Sequence, residues 1–247
     1  MIALCAWLGV ATAADLPVPA PVRFPPRGEP TLSLEGVLHT PARAGQEPVP
    51  GLVVCHPDPR MGGAMDDRVV TALTSAAAEG GYAVLRFNFR GVGHSEGSFG
   101  DGKGEVKDTL GAWDYLSRQP GIDPRRVALA GYSFGSTTAL LAFAQEPRAS
   151  AYAGVAVPYS GLPHEREGLK GVGPLARSAF VVIGTEDEYG DADAIAKLFE
   201  EKQIQAEVRT IAGADHFFHE PPGALSEAAR AVVEFLDAHR APQSERG

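Results

Sequence analysis

The sequence predicts an α/β fold, with a mostly parallel twisted sheet and helices on both of its faces. Short apolar runs, typical of buried parallel strands, alternate with longer stretches of helical periodicity. The clearest apolar run is Gly51–Cys55, and the clearest apolar helical stripe lies within 223–239. Pro124, Pro158 and Pro174 fall between such segments, where a missing N–H is tolerated. Strands that alternate with helices are typical of a sheet covered on both sides.

The predicted elements follow one another in a regular order. The first strand alternates loosely between apolar and polar residues, the second is the continuous apolar run, and most later strands follow a helical stretch. The predicted strands are 31–39, 51–55, 82–89, 126–130, 151–157, 180–183 and 206–211. The predicted helices are 66–79, 103–118, 134–145, 192–203 and 223–239.

The composition is that of an ordinary globular protein. The chain has 247 residues, of which 44% are hydrophobic and 21% charged, enough for one α/β domain with a full core. The net charge is −9 and no cluster of Lys or Arg stands out, which argues against nucleic-acid binding. The two cysteines, Cys5 and Cys55, are too few for a disulfide framework or a four-cysteine zinc site.

The first residues have some features of a signal peptide. Residues 2–10 are mostly apolar, and Ala11-Thr12-Ala13 matches the small-residue pattern of a cleavage site. No Lys or Arg precedes Arg23, so the positive start of a signal peptide is missing, and the run is too short to span a bilayer. The expected location is therefore the cytoplasm, or outside it if residues 1–13 direct export.

Six prolines lie between Asp15 and Pro30 and favour extended, polyproline-like chain. Residues 1–30 are therefore predicted to be a leader or a Pro-rich arm that serves as a linker or wraps the domain. The folded domain is predicted to comprise residues 31–241, followed by a polar, frayed tail.

The chemically interesting side chains come directly after predicted strands. They lie in 56–60, in 90–95, and at Ser133, Asp187 and His216. Ligands of such sheets bind at the carboxyl ends of the strands. The sequence therefore predicts a functional site at that edge of the sheet.

Gly131–Gly135 (GYSFG) has the G-x-S-x-G pattern of a nucleophile elbow. It follows an apolar strand and precedes a helical run, which is the context that the motif needs. The sharp turn exposes the hydroxyl of Ser133 and points the helix N-terminus at the same place, where its positive end favours an oxyanion. The alternative interpretation is a serine that only caps the helix.

A serine nucleophile needs a base, and the base needs an acid that orients it, in the chain order Ser, Asp or Glu, His. Asp187 follows the strand 180–183, and His216 follows the strand 206–211. Neighbouring residues compete for both roles: Glu186, Glu188 and Asp191 for the acid, and His219 for the base. The competing acids could instead cap the next helix. His216 is preferred because it lies closer to the end of its strand.

The loop that follows the strand 51–55 is the candidate oxyanion loop. Pro57 and Pro59 have no N–H, so Asp58 is the expected backbone donor, together with the N–H of Phe134 after the nucleophile. The alternatives are a plain turn, or an Asp58 side chain that binds substrate or caps a helix.

Four segments with their spacing resemble the α/β-hydrolase superfamily, in particular the small lidless bacterial hydrolases near the dienelactone-hydrolase and Xaa-Pro-peptidase-like groups. The segments are HPDPRMGGAMDDRVV (56–70), YAVLRFNFRGVGHSEGSFGDGKGE (82–105), VALAGYSFGS (127–136) and the pair VVIGTEDE with GADHFF. The resemblance implies a triad of Ser133, Asp187 and His216 with oxyanion donors at Asp58 and Phe134. Dienelactone hydrolases proper have a cysteine nucleophile, so that activity is not implied.

The expected function is that of a serine hydrolase that acts through an acyl-enzyme on a small ester, thioester or amide, without a metal or other cofactor. Among these, a serine esterase that cleaves carboxylic esters is expected first. His56, Tyr132 and His94 are expected to support the site or face the substrate. Only about 22 residues separate Val157 from Phe180, so no large lid is expected. The alternatives are a peptidase, or a ligand-binding protein without catalysis on the same fold.

Overall fold

The computed structural model describes residues 18–41, 44, 47–159 and 172–239. Over these residues eight strands form one sheet: β1 (Val18–Phe24), β2 (Leu34–Thr40), β3 (Val49–Cys55), β4 (Ala83–Phe87), β5 (Ile122–Tyr132), β6 (Tyr152–Val155), β7 (Leu175–Gly184) and β8 (Ile204–Ile211). Five α-helices accompany them: α1 (Arg68–Glu79), α2 (Lys103–Ser117), α3 (Phe134–Gln145), α4 (Ala192–Glu201) and α5 (Ala224–Ala238). This architecture confirms the predicted fold class.

The strands lie in the order β1-β2-β4-β3-β5-β6-β7-β8. The pairs β1–β2 and β2–β4 are antiparallel, and the five remaining pairs are parallel. Successive residues of β3 point to opposite faces, so Val53 belongs to the apolar core under α2, α3 and α4, and Val54 to the core under α1 and α5. Both faces are therefore covered by helices.

The Pro-rich arm was expected to be a linker or a wrapping segment, and in part it is a strand of the sheet. Strand β1 pairs along its full length with β2, with Pro19 opposite His39 and Pro21 opposite Val37. An edge strand leaves every second N–H without a neighbour, and prolines two residues apart can occupy those outward positions. The proline spacing that indicated extended chain is thus compatible with an edge strand, and the sheet begins before residue 31.

The segment after β1 is anchored on α2 and on the end of α3. Arg27 makes a bidentate pair with Asp114, with N–O distances of 2.7 and 2.8 Å, and its Nη2 also donates to Glu146 Oε2 at 2.8 Å. Arg148 forks onto the same Glu146 carboxylate with two bonds of 2.8 Å. Glu146 is only 2% exposed. The arm therefore packs on the domain through a buried ion network.

This network predicts a specific acid sensitivity. Burial opposes ionisation of Glu146, but the hydrogen bonds from Arg148 and Arg27 outweigh it and lower its pKa from 4.5 to about 2. Because the folded-state pKa is the lower one, the ionised group stabilises the fold above pH 4.5, and this contribution is lost as the pH falls towards 2. We expect Glu146→Gln to lower the free energy of unfolding at pH 7 by on the order of 2 kcal/mol.

Urea denaturation at several pH values checks this expectation. The difference between Glu146→Gln and the wild type should shrink as the pH falls from 4.5 towards 2. Glu200→Gln is the matched control, because Glu200 is exposed and should change stability little at any pH. A difference between Glu146→Gln and the wild type that stays constant over this range would contradict the ion-network interpretation.

Several predictions concern residues that lie outside the described part of the chain. They are the leader at 1–13, the tail after residue 240, and most of the connection between β6 and β7, for which no large lid was expected. Among the described helices, none combines the length and the apolar character needed to cross a bilayer.

Candidate active site

Ser133 occupies a sharp turn between β5 and α3. Its φ of 53° and ψ of −125° lie in a region that non-glycine residues rarely adopt, so the turn stores strain. Its N–H donates to Val155 O on the neighbouring β6 at 3.0 Å. The strained residue is thus held at the carboxyl edge of the sheet, and its side chain is only partly buried.

Two glycines let the turn pack closely on its surroundings. A Cβ on Gly131 would lie 2.1 Å from Gly135 O, and a Cβ on Gly135 would lie 2.4 Å from the carbonyl oxygens of Cys55 and His56. Both positions therefore exclude any larger residue unless the backbone moves. The second contact also brings the loop after β3 directly against the first turn of α3.

The three sequence-predicted residues meet at this edge. His216 Nε2 lies 3.0 Å from Ser133 Oγ, and His216 Nδ1 lies 2.8 and 2.9 Å from the two carboxylate oxygens of Asp187. The Asp187 side chain is fully buried and that of His216 is 5% exposed. The residues come from the ends of β5, β7 and β8, so the sheet brings together side chains that are far apart in sequence.

These distances determine how the protons are arranged. A carboxylate only accepts hydrogen bonds, so Nδ1 of a neutral His216 carries the proton and donates it to Asp187. Nε2 is then an acceptor and faces the hydroxyl of Ser133. The arrangement is able to remove a proton from that hydroxyl, which is what an activated serine nucleophile requires.

Two of the residues that compete for these positions, His219 and Asp191, have other partners. His219 Nδ1 pairs with Asp215 Oδ2 at 3.4 Å, and its ring stacks on Phe217. Asp191 Oδ1 accepts from Ala194 N at 2.9 Å and caps the start of α4, which is the alternative role considered for it. The structure therefore brings Asp187 and His216, rather than these neighbours, to Ser133.

The loop after β3 forms a single 3₁₀ turn, Pro59–Met61, whose N-cap is Asp58. The carbonyl of Asp58 accepts from Met61 N and Gly63 N, both at 3.0 Å. Its carboxylate accepts from the backbone N–H of Arg60 at 2.8 Å and so caps this turn. Phe134 is the first residue of α3, and the N–H of a first helical residue has no acceptor within its own helix.

His56 and Tyr132 are buried beside the site and hydrogen-bond to the loops around it. His56 Nδ1 lies 2.7 Å from Pro57 O, and its Nε2 accepts from Phe89 N at 3.0 Å, which links the loops after β3 and β4. Burial lowers the pKa of His56 to about 4, so its ring is neutral at pH 7. The hydroxyl of Tyr132 donates to His216 O at 3.2 Å.

His94 is exposed and lies over the antiparallel edge of the sheet. Its N–H donates to Glu35 Oε1 at 2.7 Å, and its carbonyl accepts from Arg23 at 3.2 Å. These backbone contacts with β1 and β2 fit a structural role for the loop after β4.

Sequence reasoning missed two groups that hold the site. Asp187 Oδ1 also accepts from the backbone N–H of Tyr189 at 2.9 Å and of Gly190 at 2.8 Å, and these bonds fix the carboxylate. Arg68, at the start of α1, donates to Phe217 O and links that helix to the loop of His216. An aspartate two residues before the Tyr-Gly pair is a turn signal, whereas nothing in the sequence indicates the contact of Arg68.

Comparisons with known proteins identify a family that matches most of the chain. The family described as X-Pro dipeptidyl-peptidase (S15 family) matches residues 32–212. An uncharacterised protein of Rickettsia prowazekii is 30% identical over 200 residues, which cover 79% of this chain and 82% of that protein.

Two solved structures are similar over most of their length. An alpha-beta serine hydrolase homologue from Coxiella burnetii has a TM-score of 0.72 and 29% identity, covering 92% of this chain and 98% of its own. A serine hydrolase without a lid from Xanthomonas campestris has a TM-score of 0.67 and 28% identity, covering 87% and 94%. The family match shows that this chain belongs to the X-Pro dipeptidyl-peptidase (S15) family, and the two structures show that it has the α/β-hydrolase fold.

Proposed function

We propose that this protein is a serine hydrolase that cleaves small carboxylic esters through an acyl-enzyme. The observation that carries the proposal is the unbroken hydrogen-bonded chain from Asp187 through His216 to Ser133, with all N–O distances between 2.8 and 3.0 Å. The similarity to serine hydrolases supports the same reaction class.

The reaction would proceed in two halves. Ser133 Oγ attacks the carbonyl carbon of the ester while His216 Nε2 accepts the hydroxyl proton. The C–O bond to the leaving group then breaks, and His216 returns the proton to the departing alcohol. In the second half a water attacks the acyl-enzyme, His216 accepts and returns a proton in the same way, and the carboxylic acid leaves from Ser133.

The negative charge that develops on the carbonyl oxygen needs donors in a fixed position. We assign this role to the backbone N–H groups of Phe134 and Asp58. Two observations support the assignment: Phe134 begins helix α3, whose positive end lies at Ser133, and the loop that carries Asp58 packs against the first turn of that helix.

Peptide-bond cleavage is the second candidate, because the matching family is described as an X-Pro dipeptidyl-peptidase. The same nucleophile and base would serve an amide, with His216 protonating the departing amine. The two candidate reactions use the same triad and differ in the leaving group and the acyl group of the substrate. A comparison of substrates therefore distinguishes them.

Pre-steady-state kinetics on p-nitrophenyl acetate tests the proposed function. An acyl-enzyme intermediate predicts a burst of nitrophenol that approaches one equivalent per chain whenever deacylation is the slower half. A panel of short esters measured beside X-Pro and other aminoacyl amides distinguishes esterase from peptidase. If only the amides are turned over, the ester proposal is wrong and peptide-bond cleavage takes its place. If neither class is turned over, the non-catalytic binding protein is favoured.

A further inference from the structure

At the turn Asp58-Pro59-Arg60 the Asp58 carboxylate binds the side chain of Arg60 as well as its backbone N–H. Arg60 donates three hydrogen bonds to the Asp58 carboxylate: from its backbone N to Oδ1 at 2.8 Å, from Nε to Oδ1 at 3.0 Å, and from an Nη to Oδ2 at 2.6 Å. The Asp58 side chain is 6% exposed and that of Arg60 is 45% exposed. The buried carboxylate is thus closed off from one side by a guanidinium.

The same acid-Pro-Arg turn occurs twice more in this chain. Asp123-Pro124-Arg125 and Glu146-Pro147-Arg148 each form the backbone bond and the two side-chain bonds, with distances between 2.8 and 3.2 Å. One of these turns lies at the start of β5 and the other at the end of α3, so both lie at the opposite edge of the sheet from Ser133. The turn is a local structural device, and only one of its three copies lies beside the nucleophile.

The copy at Arg60 is also tied to the helix that follows the nucleophile. Its guanidinium carbon lies 4.6 Å from the centroid of the Phe99 ring, and that ring lies 6.0 Å from the ring of Phe134. The cation–π contact and the ring contact therefore connect the Asp58–Arg60 pair to the residue that supplies the other proposed oxyanion donor.

The charge of the Asp58 carboxylate would affect the oxyanion of the proposed reaction. The carboxylate of Asp58 is only a few bonds from its own N–H, so an unneutralised charge there would repel the oxyanion that the N–H is meant to stabilise. We propose that Arg60 is a positioning residue for the oxyanion site. Arg60 holds the Asp58 carboxylate in place and neutralises its charge. This inference rests on the proposed function, because it concerns the transition state of the same reaction.

A double-mutant cycle on a neutral ester tests the inference, with Arg60→Ala, Asp58→Asn and the double variant. Arg60→Ala should lower kcat roughly ten- to a hundredfold with little change in KM, because the lost interaction acts on the transition state. In the Asp58→Asn background the same change should cost much less, since no carboxylate remains to be neutralised. Added salt should also reduce the loss caused by Arg60→Ala, because it screens the Asp58 carboxylate that the removal of Arg60 uncovers.

Arg125→Ala is the matched control, because it opens the same turn away from the site and should leave kcat unchanged. If Arg60→Ala costs as much in the Asp58→Asn background as in the wild type, or if Arg60→Ala has no effect, the inference is wrong. If Arg60→Ala instead raises KM, and does so only for anionic esters, Arg60 contacts the substrate. That result would also overturn the inference. If the wild type shows no turnover that depends on Ser133, the proposed function itself has failed.

Discussion

Replacing Ser133 with alanine is expected to lower kcat on an activated ester by roughly 10³- to 10⁶-fold. The alanine removes the atom that forms the bond to the acyl group, while the strained turn, the histidine and the backbone donors remain in place. A residual rate above that in water is expected from the proposed oxyanion donors alone. Steady-state kinetics on p-nitrophenyl acetate measures the effect.

Ser117→Ala provides the comparison for this variant. The hydroxyl of Ser117 donates to Asp114 O at the end of α2, away from the site, so its loss should leave the rate unchanged. Both variants should unfold at temperatures close to that of the wild type. A Ser133→Ala variant that keeps a rate within tenfold of the wild type would mean that another group is the nucleophile.

Asp187→Asn is expected to lower kcat by roughly 10⁴-fold, with the fold intact. Tyr189 N and Gly190 N both donate to Oδ1, so the carbonyl of the asparagine should occupy that position. The amide nitrogen would then take the place of Oδ2, 2.9 Å from His216 Nδ1, and donate to it. The amide N–H that faces Nδ1 would oppose a proton on that nitrogen and favour the tautomer protonated at Nε2. A protonated Nε2 cannot accept the hydroxyl proton of Ser133.

The rate of Asp187→Asn is compared with that of Asp191→Asn. Asp191 caps helix α4 through the same kind of carboxylate, and asparagine caps helices equally well, so this control should keep its activity. Retention of most of the wild-type kcat by Asp187→Asn would show that the orientation of His216 does not depend on Asp187.

The elbow could be predicted from sequence because its determinants are local. The motif at Gly131–Gly135 lies between an apolar strand and a helical run, and the predicted helix 134–145 has the bounds that the structure gives α3. Asp187 and His216 could be proposed as well, since each directly follows a strand and the carboxyl ends of parallel strands share one edge.

Features that depend on pairing with distant residues were not predictable. Strand β1 exists because its partner is β2, and its prolines alone indicated a linker or a wrapping arm. Strands β5 and β7 begin several residues before their predicted starts at 126 and 180, and each early part pairs across a register irregularity with β3 or β8. The stacking of Arg60 on Phe99 likewise joins two loops that have no common sequence signal.

Covalent labelling tests whether Ser133, His216 and Asp187 together form an activated nucleophile. The folded wild-type protein is treated with a fluorophosphonate and its peptides are analysed by mass spectrometry. We expect one adduct per chain, on Ser133, that is lost when the protein is denatured first and strongly slowed in His216→Ala. A folded protein that remains unlabelled, or carries its adduct on a different residue, would contradict this expectation.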